Sequence, residues 1–462
     1  MKLSESVKKY GYFYFPVMSE QKMPGILSIS ELGEVDLDIL GTYGDHSYVI
    51  TGGSIVNSRI IGILETGEKV TIEGCFCTRI TDNLGSFARI KICGNIALIG
   101  HEYISDEKIE FNRVTFSVNG LSEWLSISGI KYESSEHNNT AIKFEMPNDI
   151  HFSLEDGIQL SFVFELHVSH AFEDAILSQK VYISICSDSP KPLEDFRGII
   201  FKLNNFFCLA IDNTVAINCL YGYSKDIVQD FDVYTVETPI HIYYKTNYSE
   251  SDNQISSHNL LFRYEDVANC FENVLKLWFH NYSISEPAFN LYFSSKSGGY
   301  KYLEGKFLSL AQGIETLHKR NYPDRFLIQK DEFKVLKKSI VACCPDDRKK
   351  WLEERIKYGC ELTLRERVSQ LIEPFKELYG SDEQRIELIS KIMNTRNYLT
   401  HYDPKLKEKS AQRMELLSIS MKLESLFQLH FLRLVGLELD QIKNIVSGNY
   451  SLNEKLNNSS KE

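Results

Sequence analysis

Arg396 and His401 stand five positions apart in the segment Lys391-Ile-Met-Asn-Thr-Arg-Asn-Tyr-Leu-Thr-His-Tyr-Asp-Pro, and their side chains suit chemistry on a phosphodiester. Arg is a permanent planar cation that holds two phosphate oxygens, whereas His titrates at about pH 6.5 and can take a proton from one oxygen and return it to another. Together they fit attack of a ribose 2′-hydroxyl on the adjacent phosphorus. The imidazole serves as base or acid, the guanidinium stabilises charge growing on the phosphoryl oxygens, and a 2′,3′-cyclic phosphate and a 5′-hydroxyl result without a metal. DNA lacks that hydroxyl and should survive. As a bare pattern the spacing decides nothing, because a chain with this many Arg and His yields about one such match by chance. Context decides: a polar Asn397 follows the Arg, and Pro404 must stop the helix soon after His401.

Five residues correspond to about 140° around an α-helix, so one helix presents Arg396 and His401 divergently, while Asn397 and His401 at i and i+4 share a face. Asn397 could then orient the imidazole. The helix C-terminus favours the protonated ring by about 0.3–1 kcal/mol. One Arg–His pair makes a poor site, but two copies related by a two-fold axis could place both pairs around one phosphate. Glu315 is a second candidate. On a helix over 302–320 the apolar stripe runs Phe307, Leu310, Ala311, Ile314, Leu317, and Glu315 lies at its edge with Leu308, Ala311 and His318 as neighbours. Such a carboxylate needs a partner, either Arg396, which it would position, or Lys319 at i+4.

The elements that must carry these residues fall into two regions of opposite charge. Residues 1–299 hold 22 Lys and Arg against 39 Asp and Glu, giving −17, and residues 300–462 hold 29 against 24, giving +5, for a net −12. A polyanion is therefore expected on the C-terminal third, and an acidic region lying over a basic cleft would exclude RNA. Apolar residues make up 43 % of the 462 and Pro only 11, which excludes disordered, collagen-like and low-complexity classes. Neither a membrane span nor a secretion signal is read, so a cytoplasmic location is expected. The ten Cys show no Cys-x-x-Cys and read as free thiols packed as small hydrophobes. His151, His167 and His170 lie in strand-like sequence where odd spacing sends side chains to opposite faces, so neither metal nor cofactor is expected. Gly62-Ile-Leu-Glu-Thr-Gly67-Glu-Lys resembles a phosphate loop only superficially and reads as a turn.

Residues 10 to about 187 read as short strands, at 12–15, 35–39, 59–64, 69–75, 87–92, 114–118, 159–164 and 180–185, separated by turn signals such as Tyr43-Gly-Asp-His and Asn83-Leu-Gly. That spacing predicts an antiparallel β-sandwich or jelly-roll-like domain over 1–257, closed by a helix at 193–209 and ended by the polar segment 247–259. Beyond it the period becomes 3.6. Connecting helices are expected at 264–282 and 286–294, then helices at 302–320, 331–342 continuing into 346–358, 364–378 kinked at Pro374, 382–402 and 406–437. Short loops predict an up-and-down bundle over 258–448, with a polar, frayed tail at 449–462. The stripe from Met414 through Leu417, Met421, Leu426 and Leu429 to Leu432 is read as bundle core or dimer surface.

At these residues the chain resembles the HEPN domains (higher eukaryotes and prokaryotes nucleotide-binding), helical bundles whose ribonuclease members carry Arg, a polar residue and then His. Arg396, Asn397 and His401 occupy those positions without departure. The acidic β-rich region with Gly25-Ile-Leu-Ser-Ile-Ser and Ile60-Ile-Gly-Ile-Leu, followed by Phe307-Leu-Ser-Leu-Ala-Gln-Gly-Ile-Glu-Thr-Leu-His and Arg-Asn-Tyr-Leu-Thr-His, is similar to the ApeA-type anti-phage HEPN nucleases. The resemblance implies an α+β multidomain protein and a homodimer or higher homo-oligomer with its site at the subunit interface. It also implies an abortive-infection endoribonuclease acting on host or viral RNA, tRNA included, with the β-rich region sensing a trigger such as a phage protein. The alternative is a non-catalytic HEPN dimerisation module carrying a β-sandwich that binds a ligand.

Overall fold

The computed structural model describes residues 6–41, 58–81, 88–104, 107–134, 140–231, 234–246, 255, 259–298 and 300–457. Two compact units result, Met1–Lys276 and Leu277–Glu462, the division falling inside a helix rather than at the polar segment 247–259. The turns expected at Tyr43-Gly-Asp-His and Asn83-Leu-Gly, and most of 247–259, lie outside the described residues.

The first unit is an antiparallel β structure. Among the described residues thirteen strands form one sheet, running from Ile150–Ser153 and the long hairpin Ile158–His170 with Ala175–Pro192 through Glu110–Val118 to Val7–Tyr14 and Arg89–Gly94. The sandwich-like expectation gains one detail here. Lys69–Thr81 pairs with Ser58–Leu64 and also with Arg89–Gly94, so six strands close upon themselves as a barrel-like ring and lose their free edges. The phosphate-loop look-alike is the turn of that first pair, with Gly67 at φ +85°. Gly62 faces the ring interior, where a Cβ would come within 2.5 Å of the Phe13 ring. Helix α1 (Leu193–Ile211) covers the sheet, and its Phe206 and Phe207 join Trp124, Phe162, Phe262 and Phe271 in a mostly edge-to-face aromatic core.

The second unit is helical, as the 3.6 period predicts. Its helices are α2 (Phe271–Lys296, entered from the first unit), α3 (Leu303–Asn321), α4 (Lys330–Ala342), α5 (Lys349–Arg355), α6 (Leu364–Ile372), α7 (Asp382–His401), α8 (Arg413–Leu434), α9 (Leu439–Gly448) and α10 (Tyr450–Asn457). The two connecting helices expected at 264–282 and 286–294 meet at Ser285, whose non-helical backbone kinks α2 just before Pro287. The single helix expected over 406–437 is two, Pro404–Lys407 and α8. Its stripe divides accordingly: Leu426, Leu429 and Leu432 are buried, and Met414 is exposed.

Of the tail expected to fray, Tyr450–Asn457 is α10, which buries Leu452 and Leu456, and 458–462 lie outside the described residues. Its Lys455 ammonium lies 2.9 Å from Glu424 of α8, and Lys296 of α2 and Lys306 of α3 lie 2.7 and 3.0 Å from the same carboxylate. Burial alone would raise the Glu424 carboxyl. The three ammoniums outweigh it and hold it well below the ordinary carboxylate range.

His430 of α8 is buried against Phe375 and donates from Nε2 to the Leu371 carbonyl at 2.8 Å. Burial pushes its pKa down to about 4, partly offset by that bond. A ring with a folded pKa below its unfolded value of about 6.5 makes the unfolded chain bind more protons, so stability falls as pH drops from about 6.5 toward 4. Burial lowers His318 as well, in the same direction. Urea unfolding at stepped pH is expected to lose about 2–3 kcal/mol across that window on account of His430, and His430→Gln, which keeps a donor, should flatten the slope. An unchanged slope would contradict the assignment.

Candidate active site

Helix α7 begins with Ser381 accepting from the Gln384 N–H and the Gln384 side chain accepting from the Ser381 N–H, a reciprocal cap. It ends where Tyr402 turns left-handed at φ 51° and Asp403 caps the following turn at Pro404. Thr395 fixes the helix from inside: its buried hydroxyl donates to the Lys391 carbonyl at 2.7 Å and accepts from the Ala411 N–H at 2.8 Å. Lys391 pairs with Glu415 of α8 at 2.7 Å. Arg396 and His401 thus sit on a helix anchored at both ends.

Helix α3 supplies the opposite wall. Ser309 donates to the Leu291 carbonyl of α2 at 2.9 Å, and Gly313 lets α3 approach α8 so closely that a Cβ would lie 2.7 Å from the Phe427 ring. At its C-terminus Asn321 donates to Ser285 Oγ at 3.1 Å, tying α3 to the kink in α2. Buried His318 accepts from Arg367 of α6 at Nδ1 and donates from Nε2 to Gln370 Oε1 at 3.0 Å. His318, named as a neighbour of Glu315, therefore packs away from the site.

Between these walls lies an open cleft of about 1060 Å³ lined by Glu315, Gln312, Lys319 and Arg320 of α3, Ser283 and Ile284 of α2, and Arg396 and Thr400 of α7. Arg396 and Glu315 are brought to one cavity, although no ion pair within 4.0 Å joins them among the described residues. Lys319, the competing partner for Glu315, instead pairs with Glu361 at 3.0 Å. Asn397 departs from the role its spacing suggests, since its Oδ1 accepts from Arg396 Nη1 at 3.3 Å and no bond to the His401 ring occurs among the described residues. An i, i+1 contact between long and short polar side chains outcompetes the i+4 reach here. His401 is exposed at the helix end and does not line the cleft, whereas Thr400, four residues from Arg396, does. The divergence computed from helix geometry is thus present: the guanidinium faces the cleft and the imidazole stands on the adjoining surface.

Gln312, Thr316 and Arg320 went unread in the sequence, and Lys319 was read only as a partner for Glu315, yet their i, i+4, i+7, i+8 spacing marks one polar face of α3 beside Glu315. Arg320 is in no ion pair among the described residues, which leaves the cleft with a guanidinium on each of two walls and a carboxylate on one of them. Guanidinium groups so placed have the chemistry to hold phosphate oxygens. No group of three or more His, Cys, Asp or Glu is placed to hold a metal ion among the described residues. No helix there is long and apolar enough to cross a membrane.

Residues 308–441, which carry both Arg396 and Glu315, match the Apea-like HEPN family model. Residues 8–278, more than half of the chain, match ApeA N-terminal domain 1. The chain belongs to the ApeA-type HEPN family of anti-phage proteins. No curated protein and no solved structure matches it.

Proposed function

We propose that the chain is a metal-independent endoribonuclease of abortive-infection defence, working as a homodimer in the cytoplasm and cleaving RNA, tRNA included, to 2′,3′-cyclic phosphate ends. The observation that supports this is the meeting of Arg396 and Glu315, from separate helices, in one cleft beside the helix end that bears His401. Arg396 holds the scissile phosphate and stabilises the charge that grows on it. His401 removes the 2′-hydroxyl proton or returns one to the leaving 5′-oxygen, and because one chain turns it away from its own cleft, a second copy completes the site. Asn397 bonds Arg396 and Glu315 faces it, so both act as positioning residues for the guanidinium. The acidic residues 1–257 form the sensing part that restrains the nuclease until a phage-derived trigger arrives.

Replacing one ribose at the cleaved linkage by its 2′-deoxy form tests the reaction, because it removes the nucleophile and leaves the phosphate contacts intact. Cleavage there should cease, and cleavage that persists would overturn the reading. Glu315→Ala is expected to slow cleavage by about tenfold to a hundredfold through misplacement of Arg396, with partial recovery in Glu315→Asp and an unchanged melting temperature. Equal rates in all three proteins would make Glu315 an ordinary surface carboxylate.

A further inference from the structure

Helices α4 and α5 form an excursion between α3 and α6 that stands on a narrow base. Leu327 donates its N–H to the Cys360 carbonyl at 2.9 Å, and Phe326 bridges to Glu361. Above this base the two helices bury one residue between them, Phe333, which packs on Gly359. An element that buries so little is not there to complete a core. Beside exposed Val335, Leu336 and Ile340, it presents charge. Lys330, Lys334, Lys337 and Lys338 fall within about 100° of the circumference of α4, with i, i+4 neighbours about 5–6 Å apart. No Asp or Glu occurs from Phe333 to Pro345, and none of the four lysines is in an ion pair among the described residues. Trp351 is 57 % and Tyr358 65 % exposed on the same excursion, rings of the kind that stack on bases, with Lys357 over one face of Tyr358. The base begins at Phe326, three residues after Pro323, which lines the cleft.

We propose that α4 is a docking arm for the sugar-phosphate backbone of the substrate RNA, its lysine row following one strand as it leaves the cleft. The inference rests on the ribonuclease reading and extends it from the scissile phosphate to the flanking ones. In a chain of net charge −12, three lysines on one face of a thirteen-residue stretch without Asp or Glu select a polyanion, whereas protein interfaces are depleted in Lys at their centres.

The test uses the full chain carrying His401→Ala, so that RNA stays intact, with and without Lys334→Gln, Lys337→Gln and Lys338→Gln combined. Gln keeps helix propensity, and circular dichroism checks the fold. Fluorescence anisotropy with a labelled single-stranded RNA of about 30 nucleotides is read at about 50 and 200 mM salt. The triple variant should bind about tenfold more weakly at low salt, and the slope of log affinity against log salt should shrink by about 2, near 0.7 per lost phosphate contact. Equal affinity and equal slope overturn the arm, whether α4 then serves a protein partner or none. That failure leaves the nuclease reading standing wherever the unmutated chain cleaves RNA, and arm-dependent binding without any cleavage would sink the nuclease reading alone.

Discussion

His401→Ala and Arg396→Ala should each lower RNA cleavage by about 10²–10⁴-fold without lowering the melting temperature. The argument for intact stability is local. His401 is exposed with no hydrogen-bond partner among the described residues, and Arg396 makes one long bond to its neighbour Asn397. Neither holds the bundle together, so their loss should appear in chemistry alone. Arg396→Lys separates the two things a guanidinium does, because Lys keeps the charge but loses the planar fork, and it should recover a part of the rate. Since an unrestrained ribonuclease harms its host, the same substitutions should relieve growth inhibition on expression. A His401→Ala protein that cleaves RNA at the normal rate would remove His401 from the mechanism.

Glu424→Gln is expected to destabilise the helical unit by about 3–5 kcal/mol, seen as a lower urea midpoint and a lower melting temperature. Three ammoniums from α2, α3 and α10 converge on this one carboxylate, which is 3 % exposed. Removing the negative charge leaves them facing each other in a site with little water, a larger cost than losing the pair itself. The pH dependence has a definite sign. A carboxyl held below its ordinary value contributes stability that is present above its unfolded pKa of about 4.3 and is lost as pH falls through the depressed folded value. Acid should therefore weaken the unmutated chain more than Glu424→Gln. Lys455→Met, which removes one ammonium of three, should cost less. A Glu424→Gln protein within about 1 kcal/mol of the original would show that the cluster is solvated.

The parts of this molecule that were legible in the sequence are those where local chemistry and fold agree. Helix α7 announces itself through Ser381 with Gln384 at one end and Pro404 beyond the other, and its bounds fall within a residue of the expected 382–402. The break between Lys407 and α8 carries no Gly or Pro. It is held by a bond from the Ala411 N–H to Thr395, sixteen residues back on another helix, which no periodicity reports. The order of α10 was hidden for a related reason: polar composition from Ser451 onward conceals Leu452 and Leu456, four apart, and the partner of Lys455 lies on α8. Closure of the β ring likewise depends on one long strand, Lys69–Thr81, serving three neighbours, a register set by the whole sheet.

At the site, the Arg-to-His spacing foretold divergence because helix geometry alone determines it. The fate of Asn397 was not foretold, since the choice between Arg396 and His401 as its partner depends on which side chain is drawn toward the cleft. Glu315 was legible as a carboxylate at the edge of an apolar stripe. Its placement in a cavity with Arg396 required the packing of α3 against its neighbours, which Gly313 permits.

The central claim, that the Arg396 guanidinium and the His401 imidazole act on an RNA linkage through its own 2′-hydroxyl, is tested most directly by the chemistry of the cut ends. RNA incubated with the purified chain in EDTA should carry 2′,3′-cyclic phosphate and 5′-hydroxyl termini, absent with His401→Ala. Ends bearing 3′-hydroxyl and 5′-phosphate, or cleavage that requires an added divalent ion, would contradict it.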